Sequence, residues 1–194
     1  MGEVARHYDK LIEEGQDPVY DPPILQDYMN KWDGQEFIDR MLLDKSKSVL
    51  EIGVGTGRIA VKTAPLCKKF TGIDISKKTI EKAKENVKKA DLICADFLEY
   101  EFSETFDVVY SSLTFLHIRE KKKAFDKIAK ILNNDGLFVL SVDKNRDEFI
   151  DTGTSKIRVY PDNAGDIKRC ADDAELTLIE EYETEFALIF IFIK

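Results

Sequence analysis

Three glycines spaced two apart, between an apolar run and a helical pattern, constrain this chain more than any other feature. Val49, Leu50 and Ile52 suit a short buried strand, interrupted near its carboxyl end by Glu51. Gly53, Gly55 and Gly57 follow, and from Arg58 onward Ile59, Ala60, Val61, Ala64 and Leu66 have helical spacing. A strand, a glycine turn and a helix bring backbone close to a nucleotide-like ligand. Glycine is needed there because a Cβ would block the approach or forbid the required φ.

Such a site needs a carboxylate at the end of the next strand to accept hydrogen bonds from ribose hydroxyls. The next apolar run, Phe70-Thr71-Gly72-Ile73, ends in Asp74. Its distance from Gly55 is close to the ~20-residue interval expected. Ser76 follows as a helix N-cap. The alternative reading, glycines shaping a turn and an aspartate capping a helix, does not explain why both occur at this interval.

Glycine turns do not name the ligand. Gly55-Thr56-Gly57-Arg58-Ile59-Ala60 satisfies G-x-G-x-x-A, the nicotinamide dinucleotide fingerprint, so an NAD(P)-binding oxidoreductase is one reading. Against it, Glu51 occupies a strand end that dinucleotide folds keep apolar, and E-x-G-x-G-x-G describes the spacing better. The chain also carries further ordered landmarks. Leu92-Ile93-Cys94-Ala95 is a third apolar strand closed by Asp96-Phe97, and Phe106–Tyr110 is a fourth, ending at Ser111-Ser112. Leu137–Leu140 is a fifth, entered through a turn at Asn133–Gly136. Leu176–Tyr182 and Phe186–Ile193 follow at hairpin spacing.

In this order the segments resemble the class I S-adenosylmethionine-dependent methyltransferase family. Val49–Ala60 matches its glycine-rich motif and Gly72–Ser76 its ribose-binding segment. Ala95–Phe97 matches the adenine-binding segment, Phe106–Ile118 the fourth-strand motif and Leu132–Asp143 the fifth-strand motif. The resemblance implies an α/β fold: a Rossmann-like, doubly wound, seven-stranded sheet, mostly parallel with an antiparallel C-terminal hairpin and helices on both faces. It implies S-adenosyl-L-methionine as cofactor and S-adenosyl-L-homocysteine as product. Gly53, Gly55 and Gly57 would admit the methionine and ribose portions. Asp74 would accept from the ribose, and Ile75 would lie against the adenine. Asp96 would accept from the adenine amino group, and Phe97 would offer its backbone amide. Glu51 would organise contacts beneath the methionine ammonium, to which Ser111 would present a carbonyl. His117, after the fourth strand, is the candidate general base; the alternative is a histidine packing beside the cofactor. A catalytically silent cofactor-binding protein on the same scaffold is a further reading.

The chain is expected to form one domain over residues 1–194. It divides into a helical cap (1–45), a cofactor-binding core (46–143) and an acceptor-side loop, helix and terminal hairpin (144–194). The resemblance places the cap over the cofactor, and the cap's aromatic density suggests sulfonium-facing groups. Tyr8, Tyr28 and Trp32 are therefore assigned to the substrate pocket, as are Arg158 and Tyr160 from the segment Lys144–Pro161. Asp21-Pro22-Pro23 imitates an amino-methyltransferase motif, but it follows no apolar strand and lacks the aromatic fourth residue. It reads as a loop entering a helix near Ile24.

Net charge is −8. Nucleic-acid enzymes need a basic surface, and the lysine clusters Lys77-Lys78, Lys82–Lys89 and Lys121–Lys123 read as solvated faces of amphipathic helices. A small-molecule acceptor is expected, with no nucleic acid, no membrane and a monomer or homodimer. Phe186–Ile193 is too short to span a bilayer, and the amino terminus lacks the apolar core of a signal peptide. Cys67, Cys94 and Cys170 lack metal-type spacing and read as free thiols in a reducing cytoplasm, with Cys94 in the core. No metal site is expected. His7 is expected to be exposed.

Overall fold

The computed structural model describes residues 2–153 and 155–194; Met1 and Thr154 lie outside them, the latter within the acceptor-side segment. Apolar runs bounded by turn residues become the strands β1 (Ser48–Ile52), β2 (Lys69–Asp74), β3 (Asp91–Cys94), β4 (Phe106–Ser112) and β5 (Leu132–Asp143). They are followed by β6 (Phe149–Asp151), β7 (Lys156–Arg158), β8 (Thr177–Glu183) and β9 (Ala187–Ile193). Seven of these form one sheet in the order β3-β2-β1-β4-β5-β9-β8, and β6 and β7 pair separately. β1 to β5 are mutually parallel. β9 is antiparallel to both β5 and β8. This is the doubly wound, Rossmann-like architecture expected, with β9 as the strand of reversed direction.

Alternation along each strand divides the core between two faces. Leu50, Ile52, Val109, Phe138, Phe190 and Phe192 point to one side. There they meet Phe125 and Ile128 of α6 (Lys121–Ile131) and Ile167 of α7 (Ala164–Asp173). Val49, Val108, Tyr110, Val139, Ile189 and Ile191 point to the other. That side is covered by Phe37 and Ile38 of α3 (Gly34–Asp39), Ala60 of α4 (Ala60–Thr63) and Ile80 of α5 (Lys77–Asn86). β9 is buried on both faces, which accounts for its unbroken apolar sequence.

Several local expectations are corrected. The helix after the glycine turn is only Ala60–Thr63 followed by a 3₁₀ turn at Ala64–Leu66, because Pro65 cannot continue the α-helical bonding. Asn133–Gly136 is a bulge inside β5 rather than a turn before it; pairing with β4 jumps from Leu132 to Leu137, and Asp135 takes φ +60°. Cys94 is exposed because β3 is the sheet's edge strand. His7 is buried, 3 % exposed, because α1 (Glu3–Glu13) is covered on two sides: Ala5 and Asp9 face one way, and His7, on the opposite side of the helix, meets the Ser155 hydroxyl of the segment between β6 and β7 through Nδ1. Asp9 accepts from the Ser76 hydroxyl at 2.7 Å and from the Lys78 amide at 3.0 Å, anchoring α1 on the start of α5. Asp21–Pro23 does lead into a helix, α2 (Pro23–Met29), with proline in its first turn. No helix among the described residues is long and apolar enough to cross a membrane.

Candidate active site

The chain winds outward in opposite directions from β1 and β4, and open α/β sheets bind ligands where such a switch leaves a crevice. A cavity of about 600 Å³ lies there, walled by Ile52, Asp74, Ile75 and Ser112 from the strand ends. Val4 and Tyr8 contribute from α1, and Arg158 and Tyr160 from the segment around β7.

Gly53 and Gly55 border the cavity with φ of +76° and +56°. At Gly53 a Cβ would stand 1.9 Å from Thr114 Oγ1, so only glycine lets the turn pack beneath the loop after β4. At Gly55 a Cβ would meet nothing within 4 Å; the bare backbone faces open space. Gly57 does not line the cavity. Its φ of +99° and a would-be Cβ 2.7 Å from Val87 Cγ2 make it a packing requirement behind the turn.

Asp74 closes β2. Its Oδ2 accepts from the Gly55 amide at 3.1 Å and its Oδ1 from the Ser76 amide at 2.9 Å. Burial raises its pKa against these stabilising bonds. A carboxylate oxygen has two lone-pair sites, so each oxygen is aimed by one backbone donor and retains capacity for another. Asp96 and Phe97 follow β3 in the cavity wall, the Asp96 carboxylate exposed and accepting from the Leu98 amide at 2.8 Å.

Glu51 is 3 % exposed, and its Oε2 accepts from the Tyr110 hydroxyl at 2.8 Å. Burial pushes its pKa up to about 8, against the opposing pull of the Tyr110 hydrogen bond and of Arg58. Between the ordinary value of 4.5 and about 8, the folded chain holds a proton that the unfolded chain has lost. Stability therefore falls as pH rises through this window, by at most ~1.4 kcal/mol per pH unit. Glu51→Gln keeps an acceptor for Tyr110 and cannot ionise. The ligand-free variant is expected to gain on the wild type by ~1 kcal/mol or more between about pH 5 and about pH 8. Urea unfolding across that range checks this; parallel pH profiles would contradict a protonated Glu51.

A second polar group was not foreseen from the sequence. Asp33, 4 % exposed, accepts from the Gly34 amide at 2.7 Å, from the Ser112 hydroxyl at 2.7 Å and from Arg58 Nη1 at 3.1 Å; Arg58 Nη2 also reaches it. It joins the cap, the glycine turn and the end of β4. The break Trp32-Asp33-Gly34 signals an N-cap, but nothing local signals the distant arginine.

His117, in a 3₁₀ turn at Phe115–His117, lines the cavity beside Tyr8. Its Nε2 is 2.7 Å from the Tyr8 hydroxyl, and the rings meet edge to face at 5.4 Å. Nδ1 is buried without a partner. Burial, with smaller contributions from His7 and Lys121, lowers the imidazole to about 4, so it is neutral at physiological pH. Lys121 is not a solvated lysine: it pairs at 2.7 Å with buried Asp162 and donates to the Tyr160 carbonyl at 3.2 Å. The Tyr160 amide donates to the Leu116 carbonyl at 2.7 Å, fixing the segment after β7 against the turn that carries His117. Leu113 in the same loop takes φ +56°, a conformation rare for a side-chain-bearing residue.

Three sequence-selected residues lie off the cavity wall besides Gly57. Ser111 is fully buried, its hydroxyl donating to the Ile52 carbonyl at 2.9 Å, and Ser112 takes the cavity-facing place. Tyr28 and Trp32 cluster instead with Phe186, at ring separations of 5.6 and 4.7 Å. The Lys31 and Trp32 carbonyls, accepting from the Phe186 amide and the Ser141 hydroxyl, hold this stretch over the start of β9. Among the described residues no group of three or more His, Cys, Asp or Glu side chains is arranged to hold a metal.

A family model described as a methyltransferase domain matches residues 50–140. An uncharacterized methyltransferase of Bacillus licheniformis is 30 % identical over 189 residues, covering 93 % of this chain and 78 % of that protein. One from Anoxybacillus flavithermus is 33 % identical over 120 residues, 60 % of this chain; the match spans little more than half of that relative, 57 %. Among solved structures, the magnesium protoporphyrin IX methyltransferase of Synechocystis, determined with bound S-adenosylmethionine, superposes with a TM-score of 0.78. It is 14 % identical, over 98 % of this chain and 95 % of that one, a likeness of fold. Sequence relatedness across nearly the whole chain, joined to this topology and this glycine turn, places it in a family: the chain belongs to the class I S-adenosylmethionine-dependent methyltransferases.

Proposed function

We propose that this chain methylates a small-molecule acceptor from S-adenosylmethionine bound across Gly53–Gly57. The observation that carries the reading is the bare backbone at Gly55 opening into the cavity beside a carboxylate, Asp74, whose oxygens are each aimed by a backbone amide yet not saturated. When bound, the cofactor would supply a methyl on positively charged sulfur, taken by a nucleophile while the neutral thioether S-adenosylhomocysteine leaves.

The chain's own part is positioning and exclusion of water. Asp74 accepts from the ribose hydroxyls. Asp96, Phe97 and Ile75 frame the adenine. Protonated Glu51 lies below the amino-acid end and would release its proton to solvent when an ammonium binds beside it. On the acceptor side, α1 and the β7 segment enclose the cavity with Tyr8, Arg158 and Tyr160, a fit for a small molecule. His117 offers no free nitrogen here, since Tyr8 occupies Nε2 and Nδ1 is enclosed. Direct proton removal by His117 therefore requires Tyr8 to turn away; in this arrangement the pair forms a wall of the acceptor pocket.

The division into cap, core and acceptor-side segment, at residues 45/46 and 143/144, belongs to the same proposal. A net charge of −8 argues against a nucleic-acid substrate. A cytoplasmic monomer or homodimer completes the reading. Calorimetric titration tests it against a nicotinamide enzyme. Saturable micromolar binding of S-adenosylhomocysteine with none of NAD is expected, and the reverse pattern contradicts it. Transfer of label from methyl-tritiated S-adenosylmethionine to a metabolite panel separates an enzyme from a silent binder.

A further inference from the structure

We propose that the acceptor is a carboxylic acid, methylated on a carboxylate oxygen to a methyl ester and drawn in as an anion by Arg119 and Arg158; this rests on the reading above that the cavity takes S-adenosylmethionine. Proton chemistry narrows the acceptor first. The acceptor wall holds two enclosed polar side chains, Tyr8 and His117, and each is spent on the other. His117 Nδ1 is buried and meets no partner. Burial raises the Tyr8 hydroxyl and lowers His117 to about 4, which keeps both neutral. Glu3 and Glu120 also border this side, but both are exposed, at the rim. Asp74 and Glu51 belong to the cofactor end. An alcohol or an ammonium must shed a proton to attack, and no free base stands at the enclosed end to take it. A carboxylate has already lost its proton at neutral pH.

The step then balances without a base. A carboxylate oxygen gives a lone pair to the methyl carbon; the O–CH3 bond forms as the S–CH3 bond breaks, its electron pair stays on sulfur, and no proton moves. Charge favours the same class. A sulfonium repels an ammonium and attracts a carboxylate, most strongly between apolar walls such as Val4, Leu113 and Ile118. At the mouth, Arg119 and Arg158 line the cavity and are exposed. They come from distant segments that the Tyr160 amide joins by donating to the Leu116 carbonyl at 2.7 Å. Arg158 has only a surface partner, Glu148 at 3.3 Å, with the two side chains 58 and 62 % exposed. Such a pair is weak, so an incoming carboxylate displaces it at little cost. Of the two rim acids, Glu120 is engaged with Lys123, whose pKa it helps to raise. The guanidinium fork matches a carboxylate with two parallel hydrogen bonds.

The test gives the full chain methyl-tritiated S-adenosylmethionine and a protein-free, low-mass cell extract, split by an anion exchanger at neutral pH into retained and unretained fractions. Label is expected to enter the retained fraction, and mild alkali should release it as volatile tritiated methanol, the signature of a methyl ester. Label in the unretained fraction, or in a form stable to alkali, would overturn the assignment. No label in either fraction, with S-adenosylhomocysteine still bound, would defeat transfer to a small molecule and this assignment with it. Failure to bind S-adenosylhomocysteine would instead defeat the reading of the cavity. Arg119→Gln/Arg158→Gln changes two exposed side chains and is expected to fold. At low salt it should lower the rate at limiting acceptor by roughly 10-fold or more, within the range of electrostatic steering, while S-adenosylhomocysteine affinity stays within about twofold. Added salt should shrink the wild type's advantage. A rate equal to the wild type's at low salt would overturn the part given to the two arginines.

Discussion

Asp33→Ala is expected to destabilise the ligand-free chain by ~3–5 kcal/mol, the cost of stranding one member of a buried ion pair. The carboxylate serves three elements at once. It accepts the first amide of α3, the Ser112 hydroxyl at the end of β4 and both arms of Arg58. Truncation leaves the Arg58 charge in a site where its side chain is 16 % exposed, with its ion-pair partner gone. The start of α3 loses its cap, itself worth ~1 kcal/mol. For a chain of this size the melting temperature should fall by roughly 6–20 °C. Thermal and urea unfolding measure this, and a loss below ~1 kcal/mol would mean that solvent replaces Asp33 and that the pair is a surface contact.

Asp74→Ala is expected to weaken S-adenosylhomocysteine by at least ~10-fold, with ~100-fold as the central figure. Two charge-assisted bonds to ribose hydroxyls are worth ~1.5–3 kcal/mol each. Part of that is offset because the buried carboxylate is already raised in pKa and already serves Gly55 and Ser76. Asp74→Asn, which retains one acceptor oxygen, should fall between. The loss should appear equally with 5′-methylthioadenosine, which keeps the adenosine and lacks the amino-acid end. Unchanged affinity in Asp74→Ala would refute the ribose assignment.

Features written in consecutive residues were legible before the fold was known. The apolar run Val49–Ile52, the glycines and Asp74 each follow from local rules: a short run buried on both faces, positive φ and the length of a strand–helix–strand unit. Those rules located the cavity floor, the sheet and the reversed last strand. Groups that depend on distant pairing were not legible. Arg58 read as the first residue of a helix and Asp33 as part of a break, because their meeting is set by how the cap folds back. His7 read as exposed because the segment that covers it, around Ser155, is far away in sequence. Lys121 read as solvated for the same reason, its partner Asp162 lying on a later segment. Tyr28 and Trp32 read as pocket residues on aromatic character alone, which does not say whether a ring faces a ligand or, as here, Phe186.

The central claim is that an S-adenosyl nucleotide lies across Gly53–Gly57 at the carboxyl edge of the sheet. A crystal structure of the chain grown with S-adenosylhomocysteine tests it most directly. The account predicts ribose hydroxyls on the Asp74 carboxylate, adenine between Ile75 and Phe97, and the amino-acid end beside Glu51. A ligand seated elsewhere, or a crevice filled by protein side chains at saturating ligand, would contradict it.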